Sequence, residues 1–371
     1  MTNLALKDVF DTADTAPDLT PPAMTPEPIG GPGAWRGPDM AASDAWIEHL
    51  STHEIAEIDA AIRAHQANNL GMADIRPETF DLPTLGPRLK KMRDEVVNGR
   101  GFVLLRGFPV DRYSVTESAV GYLGLGSYIG GFRPSNAKGH LLGHVRDIGR
   151  NIKDPTTRYY QTNRGLEFHT DSVDIVGLLC LKTAKSGGAS RIVSSVTLHD
   201  VIRERRPDLW RALFNAFPTD RRGEIPPGMK PWFDVPVFNW HAGHLTTMYV
   251  GQYIRSAQEL FPEARRLTDL EIEAMDYLDT LCNDPKFYLS MDFLPGDIQL
   301  LHNHQILHSR TDYEDWPELE NRRHLLRLWL APDIGRPLPP VFEPRYGDLT
   351  PGDRGGIFTE STKLTFSLSA S

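Results

Sequence analysis

Two stretches of this chain carry residues that could hold a metal ion. The first is Leu166-Glu167-Phe168-His169-Thr170-Asp171-Ser172. If it is extended, residues two apart share a face, so His169 and Asp171 project together while Phe168 and Thr170 face away. One imidazole and one carboxylate on a single face are two adjacent ligands of an octahedral ion. A third imidazole would complete a two-His, one-carboxylate facial triad, which leaves three positions open for substrates and dioxygen and suits iron(II). Alone, the His-x-Asp spacing arises often by chance, as a surface His beside a solvated Asp. The second stretch, Leu294 to Arg310, adds weight. Its Pro295-Gly296-Asp297 is a turn signal leading into a short apolar strand, followed by His302, His304 and His308. All three histidines have the same parity, so periodicity leaves the third ligand open among them.

Downstream lies Arg322-Arg323-His324-Leu325-Leu326-Arg327-Leu328-Trp329-Leu330. Read as a strand, it places Arg323, Leu325, Arg327 and Trp329 on one face and Arg322, His324, Leu326 and Leu328 on the other. Arg323 and Arg327 would then stand about 13 Å apart on one wall. Guanidinium groups inside an apolar barrel require anionic partners, because unpaired buried charge is costly, and a carboxylate accepts Arg in a bidentate pair. The alternative is an edge strand with both arginines in solvent.

These groups need elements to position them. Ser51 and Glu54 form a capping box for a helix whose stripe is Ile55, Ile58, Ile62 and His65. A second helix is expected over Leu85–Val97, ending at Gly99-Arg100-Gly101 and followed by a strand over Phe102–Leu105. Thr268 and Glu271 cap another helix, with Leu267 and Ile272 as its staple and Leu270, Ala274, Leu278 and Leu281 as its apolar stripe. Short β-like runs cover 175–181, 190–196, 245–250, 298–301 and 325–330. Scattered strands without regular strand–helix alternation argue for a β-barrel or sandwich carrying helices.

In this order the motifs resemble the taurine dioxygenase-like (TauD/TfdA-type) family of iron(II)/2-oxoglutarate-dependent oxygenases, with clavaminate synthase and γ-butyrobetaine hydroxylase relatives. The resemblance spans about residues 95–335. It is carried by Gly101–Gly107, Phe168-His169-Thr170-Asp171, Gly187-Gly188-Ala189-Ser190, Pro295–Arg310 and Arg322–Leu330. It implies a mainly β fold with flanking helices: a double-stranded β-helix, or jelly-roll, cupin-like barrel. It assigns His169, Asp171 and His308, in Leu307-His308-Ser309-Arg310, as metal ligands and catalytic residues. It assigns Arg323 as the anchor of 2-oxoglutarate, Ser190 as a hydroxyl partner for that cosubstrate, and Arg327 as a contact for the cosubstrate or an anionic part of the substrate. His302-Asn303 stands where the family usually has an Asn-Asn pair. The implied cofactors are Fe(II), 2-oxoglutarate and O2. The implied reaction oxidises, most simply hydroxylates, an aliphatic C–H bond of a small molecule and releases succinate and CO2. Halogenating relatives replace the carboxylate with a small residue, so Asp171 argues against halogenation. Desaturation and cyclisation stay open.

Composition narrows the rest. The 371 residues hold 40 Lys+Arg and 49 Asp+Glu, a net charge of −9. With no basic block, no nucleic-acid or membrane partner is expected. An acidic ligand would need a local Arg cluster. The substrate class is therefore a small molecule, with an anionic or zwitterionic one favoured by Arg327. Two distant cysteines, Cys180 and Cys282, exclude a disulfide framework and a cysteine zinc site. No secretory signal is visible, and a cytoplasmic protein is expected. Residues 1–45, rich in Pro and Gly, are read as an extension to a single oxygenase domain over 46–371, with a homo-oligomer left open. Gly124 to Gly130 misses dinucleotide-loop spacing and is read as a glycine-rich turn near the site entrance. Arg133, His140, His144 and Arg146, and the pair His241 and His244, are weaker substrate-wall candidates. The competing class is a catalytically silent, cupin-like metal or ligand sensor.

Overall fold

Alternation along the strands decides what each sheet buries, and the computed structural model, which describes residues 28–151 and 157–370, bears this out. The major sheet runs β1 (Ile47–His49), β2 (Phe102–Arg106), β14 (Ile298–His302), β6 (Ile175–Lys182), β17 (His324–Ala331), β4 (His140–Val145) and β18 (Thr365–Phe366); β3 (Gly131–Arg133) also pairs with β17. The minor sheet runs β13 (Leu289–Met291), β8 (Ser190–Ser194), β15 (Ile306–Arg310) and β5 (Leu166–His169). Three two-stranded pairs complete the strands: β7 (Ser186–Gly187) with β16 (Tyr313–Glu314), β9 (Ala216–Asp220) with β10 (Trp232–Pro236), and β11 (Phe238–His241) with β12 (His244–Thr247). The two larger sheets form the expected double-stranded β-helix.

Between them lies one apolar layer that includes Phe102, Leu104, Val176, Cys180, Ile192, Ile306, Leu325 and Trp329. The alternate residues of the same strands, such as Leu179, Leu300, Leu326 and Leu328, face a second layer under the helices α2 (Thr52–Ala67), α3 (Leu85–Asn98) and α4 (Val115–Ser127). The outer face of the minor sheet, with Phe168, Val193 and Leu307, is covered by α5 (Ser195–Arg205), α6 (Pro207–Ala212), α7 (Gly251–Leu260) and α8 (Asp269–Asn283). Burial of both faces explains why the strands read as short apolar runs. Cys180 and Cys282 are free and buried. Among the described residues, no helix is long and apolar enough to cross a membrane.

The capping boxes at Ser51 and Thr268 form as expected. Three expectations fail locally. Leu270 and Ile272 are exposed, so there is no staple, and Glu271 is buried in their place, held by Thr268, Asn215 and Arg265. The run from Ser190 stops at Ser194, whose hydroxyl accepts the Thr197 amide and starts α5. Gly124 lies inside α4, where a Cβ would stand 2.2 Å from the Phe80 ring. That glycine permits close packing behind the major sheet and does not mark a turn at the entrance.

The described segments before β1 and after β17 fasten to this frame. Residues 1–27, most of the expected N-terminal extension, lie outside the described residues. Beyond them the Ile29 and Gly30 amides donate to Asp200, and the Trp35 indole packs on Phe102 beside α1 (Gly37–Ala41). The C-terminal segment, with the short helix α9 (Glu343–Tyr346), is pinned by Arg354, which is fully buried. Its Nε donates to Asp174 Oδ2 at 2.9 Å, and its Nη1 donates to the Arg336 carbonyl. Burial opposes ionisation of Asp174, but His304 and Arg354 outweigh it and hold the carboxyl below the usual aspartate range. Stability from this pair is therefore present above an unfolded-state pKa near 3.9 and is lost as pH falls through the lower folded value. Asp174→Asn is expected to cost about 3–5 kcal/mol in urea unfolding at pH 7, with the deficit shrinking towards pH 3. A deficit under about 1 kcal/mol at pH 7 would contradict the pairing.

Candidate metal centre

The centre is built where β5 and β15 lie side by side. Their antiparallel register sets His308 directly opposite His169, and the two rings are 4.2 Å apart between centroids. Strand β5 ends at His169, and the chain then turns. The Asp171 amide donates to Asn303 Oδ1, and the Thr170 amide donates to the Tyr249 carbonyl. The turn brings the Asp171 carboxylate back towards both rings. His169 Nε2 lies 3.8 Å from Oδ1, and His308 Nε2 lies 3.8 Å from Oδ2. One ligand atom from each of the three residues lies within 4.8 Å of the others. Those separations are too long for hydrogen bonds and short enough to share one ion.

The surroundings prepare the donors. His169 Nδ1 is 2.9 Å from the Glu167 carbonyl, which places the proton on that nitrogen and leaves Nε2 with its lone pair. The Trp329 indole donates to Asp171 Oδ2 at 3.1 Å. Burial, reinforced by repulsion from His169, pushes His308 down to about 3, so it stays neutral. Burial disfavours the Asp171 carboxylate, yet His308, Arg327 and His169 pull it below the usual range. Two imidazoles and one anion with few protein partners are a donor set that fits a divalent ion.

The other two histidines go elsewhere. His302 ends β14 and His304 sits in the turn before β15, so parity does not carry from one sheet to the other. They gather around Asp174, also within ligand spacing of one another. There the Arg354 guanidinium already bonds both carboxylate oxygens and takes the place of a cation.

Along the barrel from this centre, Arg323 is buried, with Nη2 3.5 Å from the Gly188 carbonyl. Its guanidinium lies over the Tyr313 ring, as does that of Arg310. Arg323 Nη1, Arg310 Nε and Arg310 Nη1 are buried without a hydrogen-bond partner among the described residues. Burial lowers both arginines, Arg310 to about 10. Gly188 is required beside them: its φ is +75°, and a Cβ would stand 3.0 Å from Arg323 Nε. Ser190 Oγ is within 3.3 Å of the buried Gln299 amide, close to the same end of the barrel. Arg327 lies over Tyr160 and Trp329, and its Nε is unpartnered among the described residues. Arg310, Gln299, Trp329 and Asn303 were not singled out from the sequence as site residues. Arg310 and Trp329 could have been, since each shares strand parity with an assigned residue.

A pocket opens over the centre, lined by His169, Asp171, Tyr253, Arg327 and Trp329 among others. The weaker candidates are absent from it. Arg133 donates to the Gly355 carbonyl, His144 stacks on His324, Arg146 donates to the Leu319 carbonyl, and His241 and His244 form the end of a hairpin.

Known proteins share the sequence pattern and the fold that carry these residues. The family model described as taurine catabolism dioxygenase TauD, TfdA family matches residues 66–329. FR-33289 synthase of Streptomyces rubellomurinus (strain ATCC 31215) is 29% identical over 318 residues, 84% of this chain and 93% of that protein. Taurine hydroxylase-like protein SAT17 of Stachybotrys chartarum (strain CBS 109288 / IBT 7711) is 31% identical over 304 residues, 80% of this chain and 77% of that protein. A crystal structure of the non-heme iron oxygenase OrfP with Fe and alpha-ketoglutaric acid shares the fold, with a TM-score of 0.57 at 14% identity over 76% of this chain and 93% of that one.

Anaerobic titration with Co(II) tests the ligand geometry. His308→Ala is expected to weaken binding by more than about 100-fold, beyond the usual cost of losing a supporting group. His302→Ala is expected to leave affinity within about threefold. The reverse pattern would move the ligand to His302.

Proposed function

We infer that this chain, which belongs to the taurine catabolism dioxygenase TauD, TfdA family, hydroxylates an aliphatic C–H bond of a small molecule and releases succinate and CO2. It is an enzyme, a dioxygenase dependent on iron(II), 2-oxoglutarate and O2. The balance is one 2-oxoglutarate, one O2 and one R–H giving succinate, CO2 and R–OH. The observation that carries this reading is the convergence of His169, Asp171 and His308 at one end of a barrel that also holds Arg323 and Arg310, each with buried guanidinium nitrogens that have no hydrogen-bond partner among the described residues.

Iron(II) held by His169, Asp171 and His308 would supply the electron-transfer chemistry for oxidative decarboxylation of the keto acid and delivery of one oxygen atom to the C–H bond. The protein's own part is placement. Arg323 and Arg310, with buried nitrogens lacking partners among the described residues, receive the distal carboxylate of 2-oxoglutarate, and Ser190 with Gln299 borders it. Trp329 fixes one oxygen of Asp171, and His169 is held in its tautomer by the Glu167 carbonyl. Arg327, stacked on Tyr160 and Trp329, adds positive charge beside Asp171. A small substrate enters through the pocket above.

Two measurements test this. With iron(II), O2 and a metabolite pool, substrate-dependent succinate is expected together with a product heavier by one oxygen; a pool that never yields succinate above background would overturn the reading. Arg323→Ala is expected to raise the KM for 2-oxoglutarate roughly 100-fold or more, since a buried charge-assisted pair is lost. Iron affinity should be retained. An unchanged KM would remove Arg323 from the cosubstrate.

A further inference from the structure

The turn that carries Asp171 leans on residues 247–250, which link β12 to α7. This link touches both turns of the metal centre. The Thr247 amide donates to the His304 carbonyl at 3.1 Å, one residue past Asn303. Thr170, between His169 and Asp171, bonds twice to Tyr249: its amide donates to the Tyr249 carbonyl at 2.8 Å, and its Oγ1 accepts the Tyr249 amide at 3.0 Å. Val250 then pairs with His169 in an isolated antiparallel bridge. Since Asn303 accepts the Asp171 amide, the two turns and the link form one closed hydrogen-bonded frame. The Tyr249 side chain fixes that frame to the helices. Met248 and Val250 line the pocket, whereas the Tyr249 ring is buried in the apolar cluster with Ile254, Leu278 and Cys282. Tyr249 Oη donates to Asp279 Oδ1 of α8 at 2.8 Å, and Arg255 of α7 holds Asp279 Oδ2 at 2.9 Å. Gly251 leaves room for the phenol, because a Cβ there would stand 2.7 Å from Tyr249 Oη.

His169 and His308 face each other across the β5–β15 pairing, but Asp171 lies past the end of β5. Its carboxylate therefore depends on the backbone bonds of the turn. A neighbouring backbone can hold that turn closely only if it is fixed itself, and a charge-assisted hydrogen bond at the tip of a packed, rigid ring does so. We propose that Tyr249, anchored at Asp279, is a positioning residue for the metal centre: through Thr170 it sets the distance of the Asp171 carboxylate from the two imidazoles. The proposal rests on the reading of His169, Asp171 and His308 as the metal ligands. It adds a residue that bonds, among the described residues, to none of the three ligand side chains.

Co(II), titrated anaerobically into the full chain, is the probe; affinity and the visible ligand-field spectrum at saturation are the readouts. Tyr249→Phe keeps the ring and removes only the phenol oxygen. It is expected to weaken Co(II) binding by about tenfold, the lower end for a group behind a metal ligand, and to change the spectrum of the saturated protein. Asp279→Asn keeps a hydrogen-bond partner for the phenol and should stay within about threefold of wild type. Tyr249→Phe combined with Asp279→Ala should cost no more than Asp279→Ala alone, since both break one bond. Leu89→Ala, in the core layer under α3, is the structural control: it should lower the melting temperature and leave affinity and spectrum unmoved. Wild-type affinity and spectrum in Tyr249→Phe, or equal weakening in Leu89→Ala, would overturn the proposal. If Tyr249→Phe does not fold, Thr170→Val and Thr170→Ser read the same link. Only Ser keeps the oxygen that accepts the Tyr249 amide, so equal affinity in the two would also overturn it. Wild-type protein that takes up no Co(II), or His308→Ala that takes it up undiminished, would sink the metal-centre reading and the proposal with it. Loss of binding in His308→Ala with no change in Tyr249→Phe would remove the positioning role alone.

Discussion

The antiparallel pairing of His308 with His169 is the constraint on which the rest of the structure depends. Two imidazoles and a carboxylate would ordinarily collapse into hydrogen bonds or ion pairs. Here each donor atom is held back from the others by its own anchor: the Glu167 carbonyl for His169, the Trp329 indole and the Asn303 amide oxygen for Asp171, and the β15 ladder for His308. Such a gap between buried polar groups is unfavourable unless a ligand fills it. The apolar layers on both faces of the sheets supply the rigidity that keeps it open.

The barrel interior divides its labour along the strand axis. One end holds the donor set, and the next inward positions hold Arg310, Arg323 and the Ser190–Gln299 contact. Strand alternation makes this possible where apolar neighbours of an inward polar residue pack under helices. Leu326 and Leu328 flank Arg327, and Leu307 precedes His308. The C-terminal segment closes the arrangement through Arg354 and Asp174, three residues past Asp171. In this way an ion pair far along the chain holds the segment whose Gly355 amide donates to Tyr346, the last residue of α9.

Much of this was legible in the sequence, where period and parity govern. Leu325, Arg327 and Trp329 share the inward face while Leu326 and Leu328 share the other, whereas His169 and Asp171 meet through the turn after β5 and not through strand parity. Parity could not choose among His302, His304 and His308, because a turn between two different sheets lies between them. Family resemblance pointed to His308, and the geometry brings His308 to the other two residues. Gly124 shows a different limit: a glycine that permits helix packing and one that makes a turn look alike until the Phe80 ring is in place. Leu270 and Ile272 stay in solvent because a bonded Glu271 claims the buried side of α8, which hydrophobicity alone does not foresee. Arg354 had no local signal, since its pairing with Asp174 arises only when the C-terminal segment folds back.

The most direct test is a crystal grown without oxygen, with iron(II) and 2-oxoglutarate, and measured at the iron absorption edge. The account expects one anomalous peak within bonding distance of His169 Nε2, His308 Nε2 and an Asp171 oxygen, with the distal carboxylate of 2-oxoglutarate on Arg323. A peak among Asp174, His302 and His304 instead, or a keto acid bound away from Arg323, would contradict it.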